Sequence, residues 1–459
     1  MRFAIATLGC KVNQYDSAII EDRLRAQGMQ RAEFNEPADV YIVNTCTVTD
    51  RADAESRKLA RRARRLNPAA RIIATGCLAQ ASPEVLARVP EIDHVIGLGR
   101  LDDLTRAATA VAVATGAGAG AGERVMVSNL RKERAAIELG AVAISGQTRA
   151  FLKLQEGCDQ FCTFCIVPFS RGTSRSVEPR RIFAALDDLH ARGFREATLS
   201  GVHLGGYGRD LSPAIDLETL LEMIAERSPI GRVRISSLDP EELSERIISI
   251  IAGSDKFCPH LHLPLQSGDD QILAAMRRRY DTAYYRERIE RVMEAMPDAA
   301  IGTDLIVGFP GETAAHFERY FKFVESLPLA YFHVFPYSVR TGTTAAKFGG
   351  RVGQGKIKEQ AQALRDLGES KRAAFARRFV GARLQVLLEE REPRGKLSGY
   401  SRNYIRVAAG GPDELKNHEV EVAVSAIDGL GLAGEIISAP QGSASTTAVA
   451  IATAAERAL

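Results

Sequence analysis

Residues 157–172 read GCDQFCTFCIVPFSRG and constrain this chain more than any other stretch. Cys158, Cys162 and Cys165 stand in a C-x3-C-x2-C array. Three thiolates on one short loop hold three irons of a [4Fe-4S] cluster and leave the fourth iron open to a ligand that is not protein. A structural zinc knuckle is the plainer alternative. Structural zinc, however, takes four ligands, and no fourth Cys or His lies close by in the sequence.

A chain of 459 residues is too long for one ordinary core, so two or three domains are expected. The seven cysteines are odd in number and scattered, and MRFAIATLGC lacks a signal-peptide layout. This argues against a disulfide framework and for metal or redox chemistry. No apolar run approaches the roughly 18 residues of a membrane span, so a cytoplasmic protein without a membrane partner is expected. The net charge of +3 is too small to establish a nucleic-acid partner, and any such binding must come from local patches.

Residues 1–110 read as an α/β unit. Apolar strand candidates at 3–8, 40–43 and 72–75 alternate with helical stretches beginning near 14, 49 and 82. Cys10, Cys46 and Cys77 each fall just after one of these strands. In a parallel sheet such ends share one edge, where open α/β folds place their ligands, so the three cysteines would converge. A lone Cys is more often a buried small hydrophobe, but the repeated placement points to a second metal-binding trio. RKLARRARRLN at 57–67 is a dense basic helical run, read either as a solvated helix face or as an RNA-backbone contact.

Residues 111–147 begin with VAVATGAGAGAG and read as a linker, with a short strand possible in composition near 125–127. From 148 to 378 the alternation returns. Strand candidates lie at 151–155, 197–200, 233–236, 260–265, 300–307 and 331–335. Helical stretches lie at 178–192, 216–227, 240–252, 269–296 and 312–326. Six such units fit an open parallel barrel or an open twisted sheet, with ligands at the C-terminal strand edge in both. His260 and His262 would share one face of a strand as hydrogen-bonded core histidines, and Cys258 stands outside both trios. Residues 379–440 switch to short strands at 384–388, 404–407, 420–424 and 434–438, consistent with a small β-barrel. There Arg391, Arg394, Lys396, Arg402 and Arg406 mix with Tyr400 and Tyr404, a composition suited to a splayed RNA loop or to an ordinary basic hairpin. Residues 441–459 read as a poorly ordered tail.

TLGCKVNQYDS at 7–17, NTCTV at 44–48, TGC at 75–77, the triple-cysteine loop and LQSG at 265–268 together resemble the radical S-adenosylmethionine (SAM) methylthiotransferases. The resemblance runs from about residue 3 to about residue 438. With Lys11-Val12-Asn13-Gln14 and GYSRNYIRV, it is nearest the branch that modifies threonylcarbamoyladenosine in tRNA. It implies an N-terminal α/β sheet domain, a central partial (β/α)6 radical SAM barrel and a C-terminal TRAM-type β-barrel that binds RNA. It also implies two [4Fe-4S] clusters, one on Cys158, Cys162 and Cys165 and an auxiliary one on Cys10, Cys46 and Cys77. SAM serves as radical source and methyl donor. The radical takes hydrogen from C2 of adenine 37 beside the anticodon, and a methylthio group replaces it.

Phe164 matches the family's aromatic against adenine, although a core aromatic is the simpler role. By position Ser200, Gly201, Ser237, Gln266 and Gly308 are further SAM contacts, although such glycines commonly serve turns. The implied partners are a tRNA anticodon stem-loop, an electron donor such as flavodoxin or ferredoxin, and a sulfur source that no motif names. The alternatives are a related enzyme acting on isopentenyladenosine or on a ribosomal-protein aspartate, and a non-catalytic iron-sulfur scaffold that binds RNA.

Overall fold

The structure, a computed structural model, describes residues 1–47, 50–110, 123–132, 148–393 and 395–438. Most of the expected linker, the whole expected tail, Val48 of NTCTV and Arg394 lie outside the described residues.

The N-terminal unit is an all-parallel six-stranded sheet. Its strands are β1 (Arg2–Thr7), β2 (Gln30–Arg31), β3 (Val40–Thr45), β4 (Arg71–Gly76), β5 (His94–Ile96) and β6 (Val125–Met126), in the order β2-β1-β3-β4-β5-β6. β3 is buried along its full length, which is what an apolar run without alternation becomes when helices cover both faces. β1, β3 and β4 are adjacent, so Cys10, Cys46 and Cys77 leave three neighbouring strands at one edge. Cys10 caps helix α1 (Lys11–Ala26), and Cys77 opens a short helix, Cys77–Ala81.

In the central unit β7 (Arg149–Glu156) is flanked by a two-residue antiparallel strand, β8 (Arg175–Ser176), and by β9 (Glu196–Gly201). β10 (Arg232–Ile235) follows β9, and β11 (His260–His262), β12 (Ala300–Val307) and β13 (Tyr331–Pro336) form a second parallel set. Single bridges, Val233 to Phe257 and Ser237 to His262, join the two sets into the six-unit open barrel. Alternate residues, among them Leu152, Leu154, Leu199, Val233, Leu261, Leu305 and Val334, pack outward against the helices as one core. By the same alternation Arg149, Phe151, Glu196, Arg234, His260, His262, Asp304 and His333 face the lumen.

Several elements differ from expectation. β11 stops at His262 because Pro264 follows and Gln266 takes a left-handed backbone, φ 68°. The stretch 269–296 is two helices, Asp270–Ala275 and Thr282–Ala295, broken where Arg277 has φ 59°. The last helix, Gln354–Arg377, lies beyond the five expected helical stretches.

The C-terminal unit is a closed barrel of β14 (Arg383–Arg391), β15 (Leu397–Ser401), β16 (Arg406–Ala409), β17 (Glu419–Asp428) and β18 (Gly431–Ser438). β15 escapes a propensity reading, since LSGYS is rich in small polar residues. Tyr404 lies in a turn with φ 65° rather than in a strand. The hairpin containing it is seated against the N-terminal ends of the central strands. Arg232 donates to Tyr400 O (3.0 Å) and Arg234 to Arg402 O (3.0 Å), while both arginines bond Glu196, which is fully buried. Tyr404 stacks on His260 with ring centroids 4.3 Å apart, and Arg149 lies over Tyr400 at 4.7 Å. Arg402 is held by Glu419, Arg391 by Asp413 and Arg406 by Glu390. The expectation of an RNA-facing row of cations and aromatics is therefore corrected: Tyr400, Arg402 and Tyr404 seal the base of the central barrel.

Candidate active site

The triple-cysteine loop is tied at its ends by Cys158 N–H donating to Gly172 O at 3.0 Å. Gly157 has φ 78°, and a Cβ there would lie 2.0 Å from Thr173 O, so only glycine makes this turn. Thr163 pins the middle of the loop. Its N–H donates to Met276 O, its hydroxyl donates to Ala275 O (2.8 Å), and its carbonyl accepts from Ala345 N–H. Phe164 packs beside the buried Ile272, Met276 and Phe309. Burial pushes the Cys158 and Cys165 thiols up to about 12. Burial raises Cys162 as well, but Arg278 opposes it, donating to the Cys162 sulfur at 3.3 Å.

The second trio is organised by Asn13. Its amide N–H groups donate to Leu8 O (2.7 Å) and Thr45 O (3.0 Å), the ends of β1 and β3, and its Oδ1 accepts from the Cys77 thiol at 3.5 Å. Gly9 (φ 99°) and Gly76 (φ 91°) precede Cys10 and Cys77. A Cβ on Gly9 would lie 2.8 Å from the Cys46 sulfur, and one on Gly76 would lie 2.3 Å from Asn44 Oδ1. The glycines of LGC and TGC are thus conditions of close approach. Burial pushes Cys77 up to about 12, with Cys10 and Cys46 adding and Arg171 opposing.

Two clamps hold the trios face to face. Arg171, at the end of the triple-cysteine loop, donates to Asn13 Oδ1 (2.5 Å), Asp16 (2.9 Å) and Glu156 (2.8 Å), and Lys153 bonds the same two carboxylates. Across the site Arg340 donates to Asp53 at 2.7 Å. Between the clamps lies a cavity of about 530 Å³, lined on one side by Cys10 and Cys46 and on the other by Phe164 and Cys165. Gln266, Asp304, Phe335 and Arg340 complete much of its wall.

Both donor sets suit a cluster. Thiols that resist ionisation in a desolvated site become ligands once a bound cation supplies the missing positive charge. Among the described residues, the potential ligand atoms that converge within 4.8 Å are those of His203, Asp239 and Glu242, not those of either cysteine trio. The trios are spread wider than one zinc ion with bonds of about 2.3 Å accommodates, and leave room for a cluster several irons across.

The expected SAM contacts divide. Phe164 and Gln266 line the cavity. Ser200 and Gly201 end β9, Ser237 is held beside His262, and none of the three is among the lining residues. Gly308 has φ 75°, and the space a Cβ would need is filled by Ile357 at 2.4 Å. His260 is a bonded core histidine as expected, 2.7 Å from the Tyr331 hydroxyl, and burial holds its pKa well below the ordinary value. Cys258 is buried apart from both trios. His203 has carboxylate neighbours that sequence spacing does not reveal, bonding Glu242 at 2.5 Å. Asp304, Arg278, Arg171 and the Lys153–Glu156 pair were missed. For Asp304 the signal was the period-2 alternation of AIGTDLIV, and for Arg171 its place at the loop's end.

Residues 2–97 match the family described as Uncharacterized protein family UPF0004, and residues 152–324 match the Radical SAM superfamily. The fold is similar to that of the radical S-adenosylmethionine methyltransferase TsrM from Kitasatospora setae, with a TM-score of 0.53 at 14% identity over 73% of this chain and 74% of that one. Barrel and loop together define a radical SAM enzyme, a class whose reagents are SAM and a [4Fe-4S] cluster.

Within that class the chain belongs to the methylthiotransferase family. It is 36% identical to the threonylcarbamoyladenosine tRNA methylthiotransferase MtaB of Bacillus subtilis, over 92% of this chain and 93% of that protein. It is 35% identical to the protein of the same name from Aquifex aeolicus, over 90% and 98%. It is also 33% identical to the tRNA-2-methylthio-N(6)-dimethylallyladenosine synthase of Jannaschia sp., over 93% and 92%. Among the described residues no helix is long and apolar enough to cross a membrane.

Proposed function

We propose that this enzyme places a methylthio group on C2 of N6-threonylcarbamoyladenosine at position 37 of tRNA. The observation that carries the reading is the cavity with Cys10 and Cys46 on one side and Cys165 on the other, a place for one base between two clusters. Relatives named for this nucleoside, at 33–36% identity over most of the chain, support the substrate.

On this reading Cys158, Cys162 and Cys165 hold the SAM-binding cluster, and Cys10, Cys46 and Cys77 hold an auxiliary one. When bound, the clusters and SAM supply the hydrogen-abstracting radical, the sulfur and the methyl group. The protein's part is position and exclusion. Asn13 and the Arg171 and Arg340 clamps set the distance between the trios, and Phe164 and Gln266 offer SAM a flat face and an amide. Ser200, Gly201, Ser237 and Gly308 act one layer out, at strand ends and turns. A base in an anticodon loop is already unpaired, so presenting it to the cavity costs little.

Residues 1–110 would carry the auxiliary cluster, 148–378 the radical chemistry and 379–440 a TRAM module. The electron donor is of the flavodoxin or ferredoxin type, the setting is cytoplasmic, and the substrate is held as an anticodon stem-loop. Lys58, Arg61, Arg62 and Arg65 are exposed on helix α2 (Asp50–Leu66) and suit the RNA backbone, whereas Arg64 turns inward to Asp93. The test is nucleoside mass spectrometry of tRNA from a strain lacking the protein. Loss of 2-methylthio-threonylcarbamoyladenosine alone is expected; if that nucleoside persists while another methylthio nucleoside disappears, the assignment is overturned.

A further inference from the structure

The lumen below the cavity is crowded with charge, and nearly all of it is matched. Arg149 pairs with Glu389, Arg232 and Arg234 share Glu196, and His262 meets Asp304 at 3.2 Å. Lys11 is the exception. It is the residue after Cys10, and its ammonium lies 5.4 Å from the Phe151 ring centroid on the lumen side of β7. Among the described residues it has no hydrogen bond and no carboxylate within ion-pair distance.

Lys11 is itself exposed, and its ammonium faces the lumen beside the ring of Phe151. An ammonium in such surroundings is incomplete without an anion.

The reacting carbon C2 and the carbon C6 that bears the N6 substituent of an adenine flank N1 on one edge of the base. A base whose C2 sits between the trios therefore carries its N6 group a few ångströms to one side. Lys11 begins about 3.8 Å along the chain from Cys10, the Cα spacing of adjacent residues, and its ammonium reaches the Phe151 ring on the lumen side of β7. N6-threonylcarbamoyladenosine bears a carboxylate at the end of that substituent, whereas dimethylallyladenosine bears only hydrocarbon. Resting on the function proposed above, we infer that Lys11 is the counter-ion of the threonyl carboxylate and a specificity-determining residue of this enzyme. The unpaired cation favours the acidic nucleoside and disfavours an apolar one, which would cover the charge without giving it a partner.

The test uses the full-length enzyme, reconstituted with iron and sulfide, and anticodon stem-loop RNAs with three forms of position 37: threonylcarbamoyladenosine, its primary carboxamide and dimethylallyladenosine. Wild type is expected to bind the acid at least tenfold more tightly than the neutral, equally sized carboxamide. Lys11→Met is expected to bind the two within twofold of each other. The comparison within wild type needs no variant, so a poorly folding Lys11→Met leaves the question decidable. If wild type binds acid and carboxamide alike, or if Lys11→Met keeps the preference, the inference is overturned even where product still forms from the acid. If no methylthio product forms from threonylcarbamoyladenosine RNA but does from dimethylallyladenosine RNA, the functional reading itself fails, and the inference with it.

Discussion

Arg171→Met tests the idea that the space between the trios is set by buried charge. In the wild type Arg171 and Lys153 face Asp16 and Glu156, and all four are largely withdrawn from water, with side-chain exposures of 3%, 5%, 13% and 9%. Removing the guanidinium leaves one ammonium against two carboxylates, and breaking a buried pair in this way costs about 3–5 kcal/mol. Asp16 belongs to the N-terminal sheet unit and Glu156 to the barrel, so the loss falls on their docking. Asp16→Asn alone should cost somewhat less, because Arg171 keeps Glu156. The double variant should fall short of the sum by about 2 kcal/mol, since the bond between them is broken only once.

Urea titration followed by circular dichroism, with slopes compared across the four proteins, gives the cycle. A coupling below about 0.5 kcal/mol would refute the clamp, because that is the level at which independent sites add. The cycle also has a pH signature. Burial works to raise the Glu156 carboxyl, but Arg171 and Lys153 overcome it and hold it far below its ordinary value of 4.5. A depressed carboxylate contributes stability that is complete above the unfolded value and is lost as pH falls through the folded one. Wild type should therefore hold its docking to a lower pH than Arg171→Met.

Gly9→Ala forces a side chain into a left-handed backbone and against the Cys46 sulfur; iron after anaerobic reconstitution should fall from about eight atoms per chain to about four, and eight retained would contradict it. Arg278→Gln withdraws positive charge and a hydrogen bond from Cys162, so the potential of the cluster it ligates should drop by about 60 mV, the one-electron equivalent of about 1.4 kcal/mol, in a spectroscopic redox titration. Burial pushes Glu312 up to about 7, so in the folded chain it is protonated where the unfolded chain is not. Stability should decline as pH rises from about 4.5 to about 7, and Glu312→Gln should flatten that decline in melting curves across the interval. Cys46→Ala should spare SAM cleavage and stop sulfur insertion; methylthio product from this variant would remove the auxiliary cluster from the mechanism.

What could be read from the residues was what depends on local pattern. Apolar runs that end in Gly-Cys or Thr-Cys marked both the strands and the edge where the thiols emerge, because a strand direction and a sheet edge follow from short-range order. His260 and His262 announced a polar face through simple alternation. The pairings hidden from the sequence are long-range. Arg171 to Asn13 joins residues 158 apart, and Arg340 to Asp53 joins residues 287 apart, with nothing local to each that names the other. The C-terminal hairpin was misjudged for a related reason. Arg402 and Tyr404 have the composition of an RNA surface, but exposure is decided by what docks on them, and there it is the barrel's own floor. In the sequence Lys11 is one residue of a motif; that it is an unmatched charge of the lumen among the described residues depends on the partners of every neighbouring cation.

The seated hairpin gives the C-terminal barrel a duty at the floor of the central barrel. A barrel used for radical chemistry is open at the mouth, where the base must enter, and any second opening would admit water, oxygen and small thiols to the back of the reaction chamber. Tyr400 and Tyr404, locked beneath Arg149, Arg234 and His260, act as a stopper in that second opening. Truncation before Arg383 would thus unplug the floor of the central barrel. It would leave the chamber ventilated, and consumption of SAM would run on without a matching yield of modified nucleoside.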